Sequence, residues 1–322
     1  MSNVQSFTDK DLDGVGCGVV IETFEEAIGN KIYTRFVDRT KIGTIVQDFL
    51  NNHADKFDKL IITDMGVPLE TAKIIDLYIS NRPDFEVVLR DHHDTNMFLN
   101  RYSWAEVISE RFGRLTSGTE LISEYYNKSI DDNSLFSKFY WKLYKFIELV
   151  TEYDTYRWYK DKNFEAYDLS IACSLLGLEL FKNTMKTSIK KGEDLINPEL
   201  QILVNRIRQK EGTFIEKKLE KVYINEIKGY KAGIVFIDSF TGFISILGNK
   251  ICENYPEVDM ALMIDLTSGK VDLRGNKNDI HLGKWAEKHF GGGGHAKAAG
   301  FTIKNDKVFT NILGIIQKYL NS

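Results

Sequence analysis

Three short apolar runs early in the chain each lead straight into an acid, and this repetition limits the fold more than any other feature. "NVQSF" (3–7) precedes Asp9, "DKLIIT" (58–63) precedes Asp64 and "FEVVLR" (85–90) precedes Asp91. A further run, "KIYTRFV" (31–37), has the same character. The Ile- and Val-rich runs read as buried strands, with "NVQSF" the weakest of them. Between them, Val15 to Ile28 and Leu69 to Ile79 show helical spacing, and Pro68 suits the first turn of the second helix. Strand and helix in alternation predict a parallel sheet with helices on its faces. Ligands of such a sheet bind beyond the carboxyl ends of its strands. The acids therefore stand where separate strands can deliver them to one crevice.

The middle of the chain reads as helical. Residues 117–153 are rich in aromatics, which fits a packed helix pair better than a base-stacking surface. Residues 195–222 form a long amphipathic pattern, and its run "EKKLEK" reads as a solvated helix face. A second α/β unit follows. "YKAGIVFI" (230–237), "VDMALMIDL" (258–266) and "KVDLRG" (270–275) read as strands, the last two joined as a hairpin by "TSGK". A helix over 281–290 runs into "GGGGH", "GFTI" is a short strand, and 306–320 a closing helix. The expected division is a first domain at 1–190, a helical linker at 191–225 and a smaller second domain at 226–322.

Composition narrows the function. The 322 residues carry a net charge of −4, so no surface-wide basic sheath for nucleic acid is present, although 42 Lys and Arg leave room for a local basic groove. Cys17, Cys173 and Cys252 are scattered and unpaired in sequence, as reduced thiols of a cytoplasmic protein would be. No apolar run is long enough to span a membrane, and "MSNVQSFTDK" lacks the features of a signal peptide.

The acids themselves suggest chemistry. Asp9, Asp11 and Asp13 fall in "TDKDLDGVG", Asp64 in "IITDMGVP", and Asp91, His92 and His93 in "DHHDTN". Alternate residues of an extended segment point the same way, so the first three can converge. Like charges gathered in one place raise one another's pKa, and a divalent cation removes that cost. Carboxylates mixed with imidazoles suit Mn²⁺, Fe²⁺ or Co²⁺ better than Ca²⁺. An EF-hand is excluded, because the glycine and glutamate of its loop are missing. Any single aspartate is equally explained as a helix N-cap, and Asp94 and Asn96 need only a turn.

Taken together, "DKDLDGVG", "ITDMGVP", "RDHHDTN" and "FGGGGHAKAAGF" resemble the DHH phosphoesterases that carry a DHHA1 domain. Order and separation fit along nearly the whole chain, and the layout is most similar to oligoribonucleases of that family. The resemblance implies an N-terminal parallel-sheet DHH domain, a smaller C-terminal α/β DHHA1 domain, and an active site in the cleft between them. It implies two divalent ions, Mn²⁺ first, with Mg²⁺ or Co²⁺ as alternatives. Asp11, Asp13, Asp64 and His92 match metal ligands of the family, with Asp64 the shared one, and Asp154 in "TEYDTYRW" is the best match for a later aspartate. Asp9 stands where many relatives have a histidine ligand, which makes the site more anionic and favours Mn²⁺ or Mg²⁺. His93 is expected to face the phosphate, with Asp91 orienting an imidazole.

In "FGGGGHAKAAG" the glycines leave backbone N–H groups unobstructed, so a phosphate can approach closely. Gly291, Gly292, Gly293, Gly294, His295 and Arg274 are the expected substrate contacts. The function implied is hydrolysis of short RNA or single-stranded ends to nucleoside 5′-monophosphates. A cyclic (di)nucleotide phosphodiesterase and a non-catalytic nucleic-acid-binding member are the alternatives. A homodimer is compatible with the sequence.

Overall fold

The computed structural model describes residues 1–129, 140–237, 243–277, 279–294 and 296–303. The chain forms two compact units, Met1–Val204 and Asn205–Ser322.

The first unit is built on five strands: β1 (Asn3–Thr8), β2 (Lys31–Phe36), β3 (Lys59–Thr63), β4 (Glu86–Asp91) and β5 (Ala105–Val107). Their order is β2-β1-β3-β4-β5, and every neighbouring pair is parallel. From β1 the chain moves outward to β2, then returns to place β3 on the other side. That reversal makes a switch point between the carboxyl ends of β1 and β3, the place where such sheets bind ligands. A short hairpin, β6 (Glu110–Arg111) with β7 (Arg114–Leu115), follows β5.

Helices α1 (Leu12–Ala27), α2 (Ile42–Asn52) and α3 (Leu69–Asn81) connect the strands. Phe7, Leu60, Ile62 and Leu89 from the sheet pack with Val46, Phe49 and Ile75 of α2 and α3 in one core. Among the described residues the unit also contains α4 (Gly118–Ser129), α5 (Tyr140–Asp154), α6 (Arg157–Asp161), α7 (Phe164–Leu176) and α8 (Leu178–Lys191). Helix α1 is buried from Leu12 to Glu25 because α4, α5 and α8 all pack on it. "KIYTRFV" is a strand but not a buried one. β2 lies at the sheet edge with alternating exposed and half-buried residues, a position that Ile and Val content does not reveal. Pro68 stands just before the first residue of α3.

Burying α1 on all sides brings Glu22 into the interior, where Lys182 and Lys186 of α8 meet it. Burial opposes its ionisation, but the hydrogen bonds from the two lysines outweigh that and hold Glu22 below the usual carboxylate range. A depressed folded pKa stabilises the fold above the unfolded pKa of about 4.3, and the gain is lost as pH falls through the folded value. Glu22→Gln should therefore cost about 3 kcal/mol at neutral pH and progressively less below about pH 4. Urea denaturation across pH measures both.

Helix α9 (Pro198–Leu219) runs across the boundary of the two units. The second unit contains β8 (Tyr223–Ile227), β9 (Tyr230–Ile237), α10 (Ile244–Asn254), β10 (Met260–Asp265), β11 (Lys270–Gly275), α11 (Leu282–Phe290), β12 (Gly293–Gly294) and β13 (Ala298–Thr302). Its sheet order is β12-β13-β11-β10-β9-β8, antiparallel except for β9 with β10. β10 and β11 form the expected hairpin. Leu262, Val271, Leu273, Leu282, Trp285 and Phe301 fill its core. His295 and the helix expected over 306–320 lie outside the described residues.

Candidate metal centre

The β1–α1 turn places the first three acids differently. Asp9 is buried directly after β1. Asp11 is exposed and caps α1, its Oδ1 accepting from Gly14 N at 3.0 Å. Asp13, two residues further, is buried and reaches the start of α4. There Gly118 N donates to Oδ2 at 2.6 Å and Thr119 N to Oδ1 at 2.9 Å. A carboxylate at a helix N-terminus satisfies free N–H groups and meets the positive end of the helix dipole. Capping and gathering of acids are thus not alternatives here, since Asp11 and Asp13 do both.

Asp64 follows β3 in a left-handed backbone conformation, with φ of 57°. A side chain other than glycine rarely sits there, although Asp tolerates it. Its N–H is fixed by the Arg90 carbonyl at 2.9 Å. Its Oδ1 lies 3.1 Å from Nε2 of His92, whose ring also lies 3.7 Å from Asp13 and 3.6 Å from Asp154 at the end of α5. Burial, followed by the charges of Asp13 and Asp11, pushes Asp64 well above the ordinary carboxylate range. Asp154 is pushed up by the same causes in the same order.

Asp91 is fully buried at the end of β4 and organises its surroundings. Its Oδ1 accepts from His92 N at 2.8 Å and lies 2.7 Å from His93 Nδ1, while its Oδ2 accepts from Asn96 Nδ2 at 2.6 Å. Burial disfavours charge on His93, but the hydrogen bond and charge of Asp91 prevail and raise its pKa. The other ring nitrogen is 3.1 Å from Arg39 Nη1. That pairing fits the Nδ1–H tautomer. A protonated ring would set two donors face to face, so forming the imidazolium requires Arg39 to turn away. Arg39 also donates from Nε to Asp9 Oδ2 at 2.8 Å and reaches within 3.6 Å of Asp11. Asp9 is therefore already balanced by a guanidinium, which makes it less available to a cation than its neighbours.

Neither Arg39 nor Asn96 was among the site residues expected from the sequence. Asn96 also accounts for Gly66, where a Cβ would lie 2.3 Å from the Asn96 side chain.

Among the described residues, three overlapping groups bring ligand atoms within 4.8 Å of one another: Asp64, His92 and His93; Asp13, His92 and Asp154; Asp9, Asp11 and Asp64. Asp64 and His92 each belong to two of them. The decisive observation is Asp64 Oδ2, which is buried and accepts no hydrogen bond. A buried acceptor left without a donor is costly, and like charges around it add to the cost. A divalent cation would satisfy that oxygen, and the oxygen- and nitrogen-rich donor set fits one. The buried Cys17 thiol, pushed well up by burial and then by Asp13, stays protonated and supplies no thiolate.

In the second unit, Gly291–Gly294 and Arg274 line an open pocket of about 620 Å³. Arg274 donates to Ser245 Oγ at 2.5 Å. The glycines differ in purpose. A Cβ at Gly292 would lie 2.2 Å from the Gly300 carbonyl oxygen, and one at Gly294 would lie 2.6 Å from that of Ala298, so strand packing excludes side chains at both. Gly293 faces open space.

A family model for the DHHA1 domain matches residues 229–322. Oligoribonuclease NrnB of Bacillus subtilis (strain 168) is 29% identical over 304 residues, which cover 93% of this chain and 73% of that protein. Among solved structures, RecJ from Thermus thermophilus in complex with Mn²⁺ is similar at a TM-score of 0.59 and 14% identity, over 99% of this chain and 52% of RecJ. An exopolyphosphatase-related protein from Bacteroides fragilis is similar at a TM-score of 0.54 and 17% identity, over 100% of this chain and 94% of that one. These likenesses define an α/β fold shared with RecJ and the exopolyphosphatase-related protein. Residues 229–322 match the DHHA1 domain, and over 93% of its length the chain is similar to an oligoribonuclease of the NrnB type. Among the described residues, no helix is long and apolar enough to cross a membrane.

Proposed function

We propose that this chain is a divalent-metal-dependent phosphodiesterase that hydrolyses short RNA or single-stranded ends to nucleoside 5′-monophosphates. The donorless Oδ2 of Asp64, at the overlap of two ligand groups, is the observation that carries this reading. The likeness to oligoribonuclease NrnB supports the substrate class.

In this reading Asp11, Asp13, Asp64, His92 and Asp154 would hold two divalent ions, while Asp9 is restrained by Arg39. Bound there, such ions supply Lewis acidity toward phosphoryl oxygens and make water a nucleophile at neutral pH. The protein's own groups do the remainder. Asp91 fixes the His93 ring through Nδ1; with Arg39 turned away and the ring protonated, Nε2 would donate to a phosphate oxygen, and Arg39 sets the charge beside it. The glycine loop and Arg274 of the DHHA1 domain bind the nucleotide. A net charge of −4 suits short substrates, because few phosphate contacts are needed.

The test resolves products from end-labelled RNA of graded length, matching single-stranded DNA and a cyclic dinucleotide, with Mn²⁺ and with chelator. Stepwise release of mononucleotides from short RNA, abolished by chelator, is expected. Turnover confined to the cyclic substrate would transfer the enzyme to signalling. Mn²⁺ in hundredfold excess over its Kd should also stabilise the fold by about 2.7 kcal/mol. No turnover and no thermal shift would overturn the proposal.

A further inference from the structure

Lys270, Asp272 and Arg274 alternate along β11 and share the face that lines the pocket beside the glycine loop, while Val271 and Leu273 point into the core. Two cations and a glycine loop make a phosphate cradle. A carboxylate between them is out of place in a pocket for phosphate alone, since the two anions repel. The β-sheet register leaves that carboxylate open on one side, because Gly300 of β13 stands opposite Asp272 and brings no side chain over it. Its Oδ2 is buried, accepts no hydrogen bond and lies 3.8 Å from Lys270 Nζ. Burial pushes Asp272 above the ordinary carboxylate range against the pull of Lys270 and Arg274. The carboxylate is therefore short of a donor, and because the Asp272 side chain lines the pocket a ligand can supply one at its open edge.

A nucleotide presents acceptors at its phosphate and donors at its sugar. The 2′-hydroxyl is the donor that RNA has and DNA lacks. We propose that Asp272 accepts a hydrogen bond from the ribose 2′-hydroxyl of the bound nucleotide while Lys270, Arg274 and the glycine loop hold its phosphate, so that the DHHA1 pocket selects RNA. This rests on the oligonucleotide reading above and assigns its sugar specificity to one residue. A carboxylate suits the task twice over: it rewards the hydroxyl and is left without a partner by deoxyribose.

The experiment measures binding of 5′-phosphorylated dinucleotides to the full chain in chelator, with adenine and uracil versions of the ribose and 2′-deoxyribose forms. Turnover of the same four with Mn²⁺ runs alongside. The wild-type protein should favour ribose by about tenfold or more, as loss of a hydrogen bond to a charged group requires. Asp272→Ala should bring the ratio close to one, mainly by weakening RNA. Asp272→Asn keeps an acceptor and should retain part of the preference. A ribose-to-deoxyribose ratio unchanged in Asp272→Ala would overturn the assignment, as would a change that follows the base instead of the sugar. If the wild-type chain neither binds nor cleaves any of the four, the oligonucleotide reading falls and takes this one with it. If it binds or cleaves them without regard to Asp272, only the present assignment falls.

Discussion

Asp64→Asn is expected to make the metal-free protein more stable while removing both metal-induced stabilisation and hydrolysis. Asp64 is buried, and burial and the charges of Asp13 and Asp11 raise its pKa. A carboxylate whose folded pKa lies above its unfolded value of about 3.9 binds its proton more tightly in the fold, so stability falls as pH rises through that interval. At neutral pH this carboxyl therefore works against the fold. Asn has the same shape, tolerates the left-handed backbone and carries no charge. The gain should be about 1 kcal/mol or more at neutral pH in chelator and should vanish below about pH 4. Turnover with Mn²⁺ should drop about a thousandfold or more, a loss of ~4 kcal/mol of transition-state stabilisation. Calorimetry with and without Mn²⁺, paired with the RNA assay, reads all three effects. A destabilised variant that still binds Mn²⁺ would remove Asp64 from the metal centre.

The β-α-β rhythm was legible because Ile61, Val88 and their neighbours are fully enclosed, and enclosure leaves an apolar run in the sequence. Asp9, Asp64 and Asp91 were legible because each follows such a run, whereas Asp154 ends helix α5 and was singled out only by resemblance. Arg39 obeys the same geometry and was still overlooked. It follows β2, whose carboxyl end adjoins that of β1, but an edge strand with exposed alternate residues gives a weak signal. Asn96 escaped for another reason: its bond to Asp91 forms only once the segment Asp94–Arg101 winds into a 3₁₀ turn. A polar residue after "DHH" is explained just as well by any turn. Helix α7 was hidden because it is buried continuously from Ala166 to Cys173, so its apolar residues follow no single stripe. The donorless oxygens of Asp64 and Asp272 lay beyond sequence altogether, since an unmet hydrogen bond is a property of the packed neighbourhood.

Asp91→Asn separates the two histidines that stand side by side in "DHHDTN". Both oxygens of Asp91 serve as acceptors, for His92 N and the His93 ring on one side and Asn96 on the other. Burial opposes its charge, but the hydrogen bond and charge of His93 outweigh burial and keep its pKa low. An amide keeps one acceptor and turns the other into a donor facing Asn96, so the seat of the His93 ring loosens. His92 keeps its contacts with Asp64, Asp13 and Asp154, which do not pass through Asp91. The variant should therefore bind Mn²⁺ within a few-fold of wild type and lose about 10- to 100-fold in kcat. Because Asp91 is what raises the His93 pKa, the limb of the pH–rate profile that belongs to His93 should move toward acid pH. Asp64→Asn gives the opposite pattern, with Mn²⁺ binding lost. Metal titration and a pH–rate series on both variants distinguish them. Equal loss of Mn²⁺ binding in the two would mean that the His93 side of the motif also belongs to the metal site.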